Sequence, residues 1–136
     1  WKKPKVPNGY NLYFDEWVEK DIVNLVQATR NHPCIVMWSA GNEVPDQFGN
    51  EGVKRLKMIQ DIFHREDPTR PVTVGMDQVV AVMENGFGAV VDVPGLNYRV
   101  HLYEEAYERF PQGFLLGSET ASTVSSRGVY KFPVVS

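Results

Sequence analysis

One cysteine, Cys34, in a chain of 136 residues excludes an internal disulfide and leaves the redox compartment open. Its place inside an apolar run reads as a small core residue rather than a reactive thiol. No apolar run approaches the roughly 20 residues that cross a bilayer, and no signal-peptide pattern opens the chain. The first residue is Trp1, not Met, so the natural start is expected to lie upstream. Charge of one sign is also scarce: 14 Lys and Arg stand against 17 Asp and Glu. Only Lys2, Lys3 and Lys5 cluster, which leaves no basic face for a nucleic acid. The phosphate-cradling turns G-x-G-x-x-G and G-x-x-x-x-G-K-[ST] are both missing. His32, His64 and His101 have no metal-ligand spacing. What is present, 43% hydrophobic residues with 12% aromatic, suits one globular core.

Along the chain, Pro4, Pro7, Asn8 and Gly9 are the vocabulary of a loop. Phe14, Trp17, Val18, Ile22, Leu25, Val26 and Thr29 then recur at helical spacing, predicting an amphipathic helix over about 14–30. Asn31-His32-Pro33 ends it, because the residue before proline disfavours the helical region. Cys34-Ile35-Val36-Met37-Trp38 is apolar without alternation, the pattern of a strand covered on both faces. Val53, Leu56, Ile59, Ile62 and Phe63 predict a second helix, stopped by Asp67-Pro68-Thr69-Arg70-Pro71. Val72–Met76 reads as a strand, 78–87 as a short helix, and Val90–Tyr98 as a strand broken by Pro94-Gly95. His101–Phe110 reads as a helix and Gly113–Gly117 as the last strand. Beyond it Ser122, Thr123, Ser125, Ser126 and Gly128 read as a polar loop.

Strand and helix thus alternate about four times, the pattern of a parallel α/β sheet. An open doubly wound sheet would often carry a glycine-rich turn after a strand. Here polar and acidic groups stand instead at the carboxyl ends of several strands: Asn42-Glu43, Asp77, Asn97-Tyr98 and Ser118-Glu119. A (β/α)8 barrel builds its active site at that face, from the ends of different strands. The barrel is favoured, and because a full one needs about 250 residues, this chain is expected to be about half of one. Glu43 and Glu119 then become a candidate pair. Glycoside hydrolysis needs two carboxylates, one donating a proton to the leaving oxygen and one acting as nucleophile or base. Each glutamate could equally open its following loop or cap a helix, and spacing alone does not separate these readings.

Arg30-Asn31-His32-Pro33-Cys34-Ile35-Val36-Met37-Trp38-Ser39-Ala40-Gly41-Asn42-Glu43 closely resembles the acid/base signature of glycoside hydrolase family 2, the family of β-galactosidases, β-glucuronidases and β-mannosidases. Gly117-Ser118-Glu119-Thr120-Ala121-Ser122 resembles the nucleophile strand end of its β-galactosidase-like branch, and Leu96-Asn97-Tyr98 is similar to its sixth-strand tyrosine region. Thr29 departs from the acidic or amide residue usual at its position, outside the active site. The resemblance implies a partial TIM barrel, about strands four to seven with their helices, so that residues 1–136 form a single truncated segment of a catalytic domain. It implies Glu43 as general acid and then base, and Glu119 as the nucleophile of a retaining double displacement. Asn42 would bind the sugar 2-hydroxyl, and Tyr98 would hold Glu119. The implied activity is hydrolysis of terminal β-D-galactosides. β-Glucuronidase, β-mannosidase and a non-catalytic carbohydrate-binding barrel stand as alternatives. Such a binding module has no need of both glutamates.

Other residues carry paired readings. Trp38 either lines the sugar site or fills the barrel interior. His32 is expected to be structural, and His101 an exposed helix-start residue. Asp46 and Gln47 could meet sugar, with a solvated loop as the plainer reading. Asp77 suggests a supporting role, while Ser125 and Arg127 follow the nucleophile without an assigned one. The partner is expected to be a β-linked oligosaccharide or glycoside, with no nucleic acid, no membrane and no cofactor. Missing strands would leave two open edges, through which the piece could self-associate. The segment alone is expected to show little or no activity. A periplasmic or secreted home suits polysaccharide breakdown, although no residue here encodes it.

Overall fold

The protein is described by a computed structural model over residues 1–122; Thr123, Ser125, Ser126, Arg127 and Gly128 lie outside the described residues. Besides three short 3-10 turns, nine α-helices and strands follow in order among these residues: α1 (Phe14–Thr29), β1 (Trp38–Asn42), α2 (Asn50–Glu66), β2 (Val72–Met76), α3 (Val79–Glu84), α4 (Phe87–Val90), β3 (Val93–Asn97), α5 (Tyr103–Arg109) and β4 (Leu116–Glu119). The strands form one sheet in the order β1-β2-β3-β4, and every pairing is parallel. An open doubly wound sheet reverses its strand order at a switch point. Here the order never reverses, as in a run of consecutive barrel strands.

Burial follows position in the sheet. All five residues of β2 and all five of β3 are buried, whereas the edge strands β1 and β4 are partly exposed. α2 covers the sheet with Leu56, Ile59, Ile62 and Phe63, which join Val72, Val74, Met76 and Leu96 in the core. Burying one side chain such as Phe63 stabilises the fold by roughly 1.5–3 kcal/mol. Both long helices place charge to suit their dipoles: Asp15 and Glu16 in the first turn of α1, Glu51 in the first and His64 and Arg65 in the last turn of α2.

Several expected boundaries move. β1 begins at Trp38 rather than Cys34, since its first ladder bond joins the Trp38 N–H to the Pro71 carbonyl at 2.9 Å and β2 starts only at Val72. The stretch before it is held instead by Arg70, whose Nε donates to the Ile35 carbonyl at 2.7 Å. Cys34 is therefore exposed, not a core residue, and Val36 is 70% exposed. β3 runs through Pro94-Gly95 without a break: Pro94 forfeits one ladder donor. A Cβ on Gly95 would stand 2.7 Å from the Val74 carbonyl and 3.1 Å from Ser118 Oγ, so this glycine marks a close approach, not a turn. Val90 closes α4 instead of opening β3, the predicted 78–87 helix divides at Gly86, and β4 starts at Leu116.

Candidate active site

Both glutamates follow an irregularity in their strand. The β1–β2 register shifts between Ser39 and Asn42, and the β3–β4 register shifts so that Asn97 faces Glu119. Such bulges re-aim side chains at the ends of sheets. Glu43 and Tyr98 also adopt left-handed backbone, with φ of 47° and 56°. Non-glycine residues rarely do so unless their surroundings hold them. Here the Glu43 N–H donates to the Gly75 carbonyl at 2.8 Å, and the Tyr98 N–H donates to the Glu119 carbonyl. The sheet thereby fixes the backbone of both residues.

The side chains converge on Asn97, which is fully buried. Its Nδ2 lies 3.0 Å from Glu43 Oε1, 3.0 Å from Glu119 Oε1 and 2.9 Å from Asn42 Oδ1. The two carboxylate oxygens can be no further apart than those two contacts laid end to end, about 6 Å. Tyr98 donates its hydroxyl to Glu119 Oε2 at 2.5 Å. That hydrogen bond, with burial and the Glu119 charge, raises the Tyr98 hydroxyl pKa above its ordinary value, so the phenol stays a donor. Ser118 donates to Asn97 Oδ1 at 2.7 Å. From the N-terminal segment, Lys5 Nζ approaches Glu43 Oε2 at 3.5 Å.

Asn42 and Asn97 sit on β1 and β3 and meet across β2 because Gly75 lies between them. A Cβ there would stand 2.2 Å from Asn42 Oδ1 and 3.1 Å from Asn97 Oδ1. The structure thus brings Glu43, Glu119, Asn42 and Tyr98 together. It does not bring Trp38 to them. That residue opens β1 at the opposite end of the sheet, stacked on Phe63 of α2 at 5.9 Å and bonded through Nε1 to Asp67 at 3.1 Å. It lies neither beside the two glutamates nor on the sheet's open face, but in the layer under α2.

Asp46 and Gln47 are buried rather than solvated. Arg55 donates to Asp46 at 2.7 Å, and Gln47 Nε2 donates to Asp77 at 2.8 Å, giving Asp77 a part in anchoring the loop after Glu43. His101 and His32 are exposed. Among the described residues no group of three or more His, Cys, Asp or Glu could hold a metal ion. Asn97, Ser118, Gly75 and Lys5 had no site role from sequence. The signal for Asn97 was its place at a strand end, and for Gly75 the absence of a side chain between two asparagines.

Residues 10–132 match the family model for glycosyl hydrolases family 2, TIM barrel domain. A beta-galactosidase of Bacteroides ovatus is 30% identical over 98% of this chain, which spans 19% of that protein's length. A beta-glucuronidase of Paenibacillus borealis is 39% identical over 38% of the chain and 8% of its own length. A crystal structure of a glycosyl hydrolase family 2 member from Bacteroides cellulosilyticus superposes with a TM-score of 0.75 at 34% identity, covering 82% of this chain and 14% of that one.

Proposed function

We propose, from the premise that the chain belongs to glycosyl hydrolase family 2, that it is the part of a retaining exo-β-glycosidase that holds both catalytic carboxylates. The observation that carries this reading is the shared contact of Glu43 and Glu119 with one amide nitrogen. Inverting enzymes separate their carboxyl groups by roughly 6.5–9.5 Å to admit a water; retaining ones hold them at about 5–5.5 Å. Oxygens held within about 6 Å of each other favour the second.

In this reading Glu43 gives its proton to the glycosidic oxygen while a Glu119 oxygen attacks the anomeric carbon, and the bond to the leaving group breaks. The products are the free alcohol and a glycosyl ester on Glu119. Water then attacks the same carbon, passes a proton to Glu43 and releases Glu119 as carboxylate. Two charges about 6 Å apart repel by roughly 3 kcal/mol at an effective dielectric near 20. A proton on Glu43 removes that cost before the first step, and esterification of Glu119 removes it before the second. Tyr98 orients the nucleophile, and Asn42 at the end of β1 faces the sugar 2-hydroxyl.

Terminal β-D-galactosides are the proposed substrates, supported by the Bacteroides ovatus relative named a beta-galactosidase along nearly the whole chain. A β-glucuronide specificity is the second reading, favoured by the shorter match to a beta-glucuronidase. Since the chain spans about a fifth of that first relative, activity is ascribed to the full polypeptide, and the segment alone is expected to be inactive. The test is NMR of the first-formed sugar released by the full-length protein from nitrophenyl β-galactoside and β-glucuronide. The β-anomer is expected first; the α-anomer would refute the retaining mechanism, and the better substrate decides between the two specificities.

A further inference from the structure

We propose that Asn97 is a positioning residue shared by both glutamates, its one amide NH2 serving whichever carboxylate carries the negative charge as the reaction proceeds. This rests on the double-displacement reading above. An ionised carboxylate oxygen only accepts hydrogen bonds, so the Asn97 atom lying 3.0 Å from Glu43 and 3.0 Å from Glu119 is the NH2. Ser118, donating to the carbonyl end at 2.7 Å, fixes the amide the same way round. An NH2 has two hydrogens and three acceptors surround this one, Asn42 Oδ1 being the third at 2.9 Å. The acceptors must therefore compete.

Before glycosylation the charged acceptor is Glu119. Afterwards Glu119 is a neutral ester, a weaker acceptor, and Glu43 has surrendered its proton and become the carboxylate. Charge-assisted bonds are about twice as strong as neutral ones, so the hydrogen bonding moves to Glu43. No side chain has to travel, because both oxygens already lie within reach. Asn97 is locked in the sheet and fully buried, a donor that costs no reorganisation at the moment of reaction. Other groups facing the pair serve one member each: Tyr98 meets Glu119 and Lys5 meets Glu43. Among the described residues Asn97 is the side chain that hydrogen-bonds to both.

The test compares wild type, Asn97→Ala and Ser118→Ala in the full-length protein, with Glu43→Gln and Glu119→Gln as controls. The readouts are kcat/KM against pH, plus separate rates for forming and hydrolysing the glycosyl-enzyme, using substrates with poor and good leaving groups. Removing a donor from a carboxylate favours its protonated form. Asn97→Ala is therefore expected to lower kcat/KM by about 10- to 100-fold, to slow both half-reactions, and to move both limbs of the pH profile upward by about one unit. Ser118→Ala should move them the same way by less, and decides the matter if Asn97→Ala does not fold. A profile lowered in height with both limbs in place, or a defect confined to one half-reaction, would overturn the proposal. Wild-type turnover in Glu43→Gln and Glu119→Gln would instead overturn the underlying reading of the site.

Discussion

The two ends of this sheet both gather acidic side chains, and they treat them in opposite ways. At the amino end Asp67 receives the Thr69 N–H at 3.0 Å, the Thr69 hydroxyl at 2.5 Å, the Arg70 guanidinium at 2.6 Å and the Trp38 indole at 3.1 Å. These bonds, the Thr69 hydroxyl foremost, hold its carboxyl well below the usual carboxylate range against the opposing effect of burial. Asp92 there likewise binds the Val72 N–H at 2.8 Å and His64 at 2.6 Å. At the carboxyl end two glutamates share one amide NH2, and three non-glycine residues, Glu43, Tyr98 and Arg99, are held in left-handed backbone. A saturated carboxylate stabilises a fold; two carboxylates that share one donor can trade it between them. The difference matches the division of labour in barrels, where one face carries stability and the other chemistry.

The sharpest way to break this contrast is to neutralise the carboxyl-end pair in the full-length protein. Glu43→Gln is expected to lower turnover of an unactivated β-glycoside by about 10²–10⁴-fold, the range for loss of a general acid, and Glu119→Gln by at least as much. Thermal unfolding should move little, since neither residue is part of the core. Asp67→Ala should do the reverse. It leaves Arg70 and the Trp38 N–H without their acceptor at a buried site and should cost roughly 3–5 kcal/mol of stability, with turnover per folded molecule retained. Equal losses of activity and stability in both variants would erase the distinction.

The same aspartate predicts a pH effect. Its folded pKa is depressed, so its contribution is fully present above the ordinary carboxylate range near pH 4. It is lost as pH falls through the lowered folded value. Denaturation midpoints measured from pH 5 downward should therefore drop less steeply in Asp67→Ala than in wild type. A smaller effect is expected for Tyr98→Phe. Hydrogen bonds to charged groups are worth about 1.5–3 kcal/mol, so kcat/KM should fall roughly 10- to 100-fold with stability nearly unchanged. Smallest of all is Cys34→Ser. Because this thiol is exposed, the change should stay within about 0.5 kcal/mol; a core-sized loss on chemical denaturation would contradict its placement.

Helices α1 and α2 and strand β2 were readable from periodicity and from their proline-rich stops, because those signals are local. Glu43 and Glu119 were readable as candidates because each ends a strand, and the long motif around Glu43 identified the family. The start of β1 was not readable: Cys34–Met37 is as apolar as a buried strand, and only the tertiary fact that β2 begins after Pro71 shows where pairing starts. Trp38, read as lining the sugar site or filling the barrel interior, packs instead against Phe63 under α2. Alternation cannot say which face a residue takes when a register shift intervenes, and the shift lies within β1 itself. The role of Asn97 depends on three strands meeting across Gly75, which no single stretch of sequence displays. The buried network of Asp46, Gln47 and Asp77 is likewise a property of the assembled loop.

The most direct test of the central claim is to treat the full-length protein with a 2-deoxy-2-fluoro-β-galactosyl fluoride and locate the label by mass spectrometry of its peptides. One glycosyl adduct on Glu119, absent from Glu119→Gln, is the predicted result. An adduct on another residue in a protein that turns over β-galactosides would contradict the assignment of this pair of strand ends as the site of a double displacement.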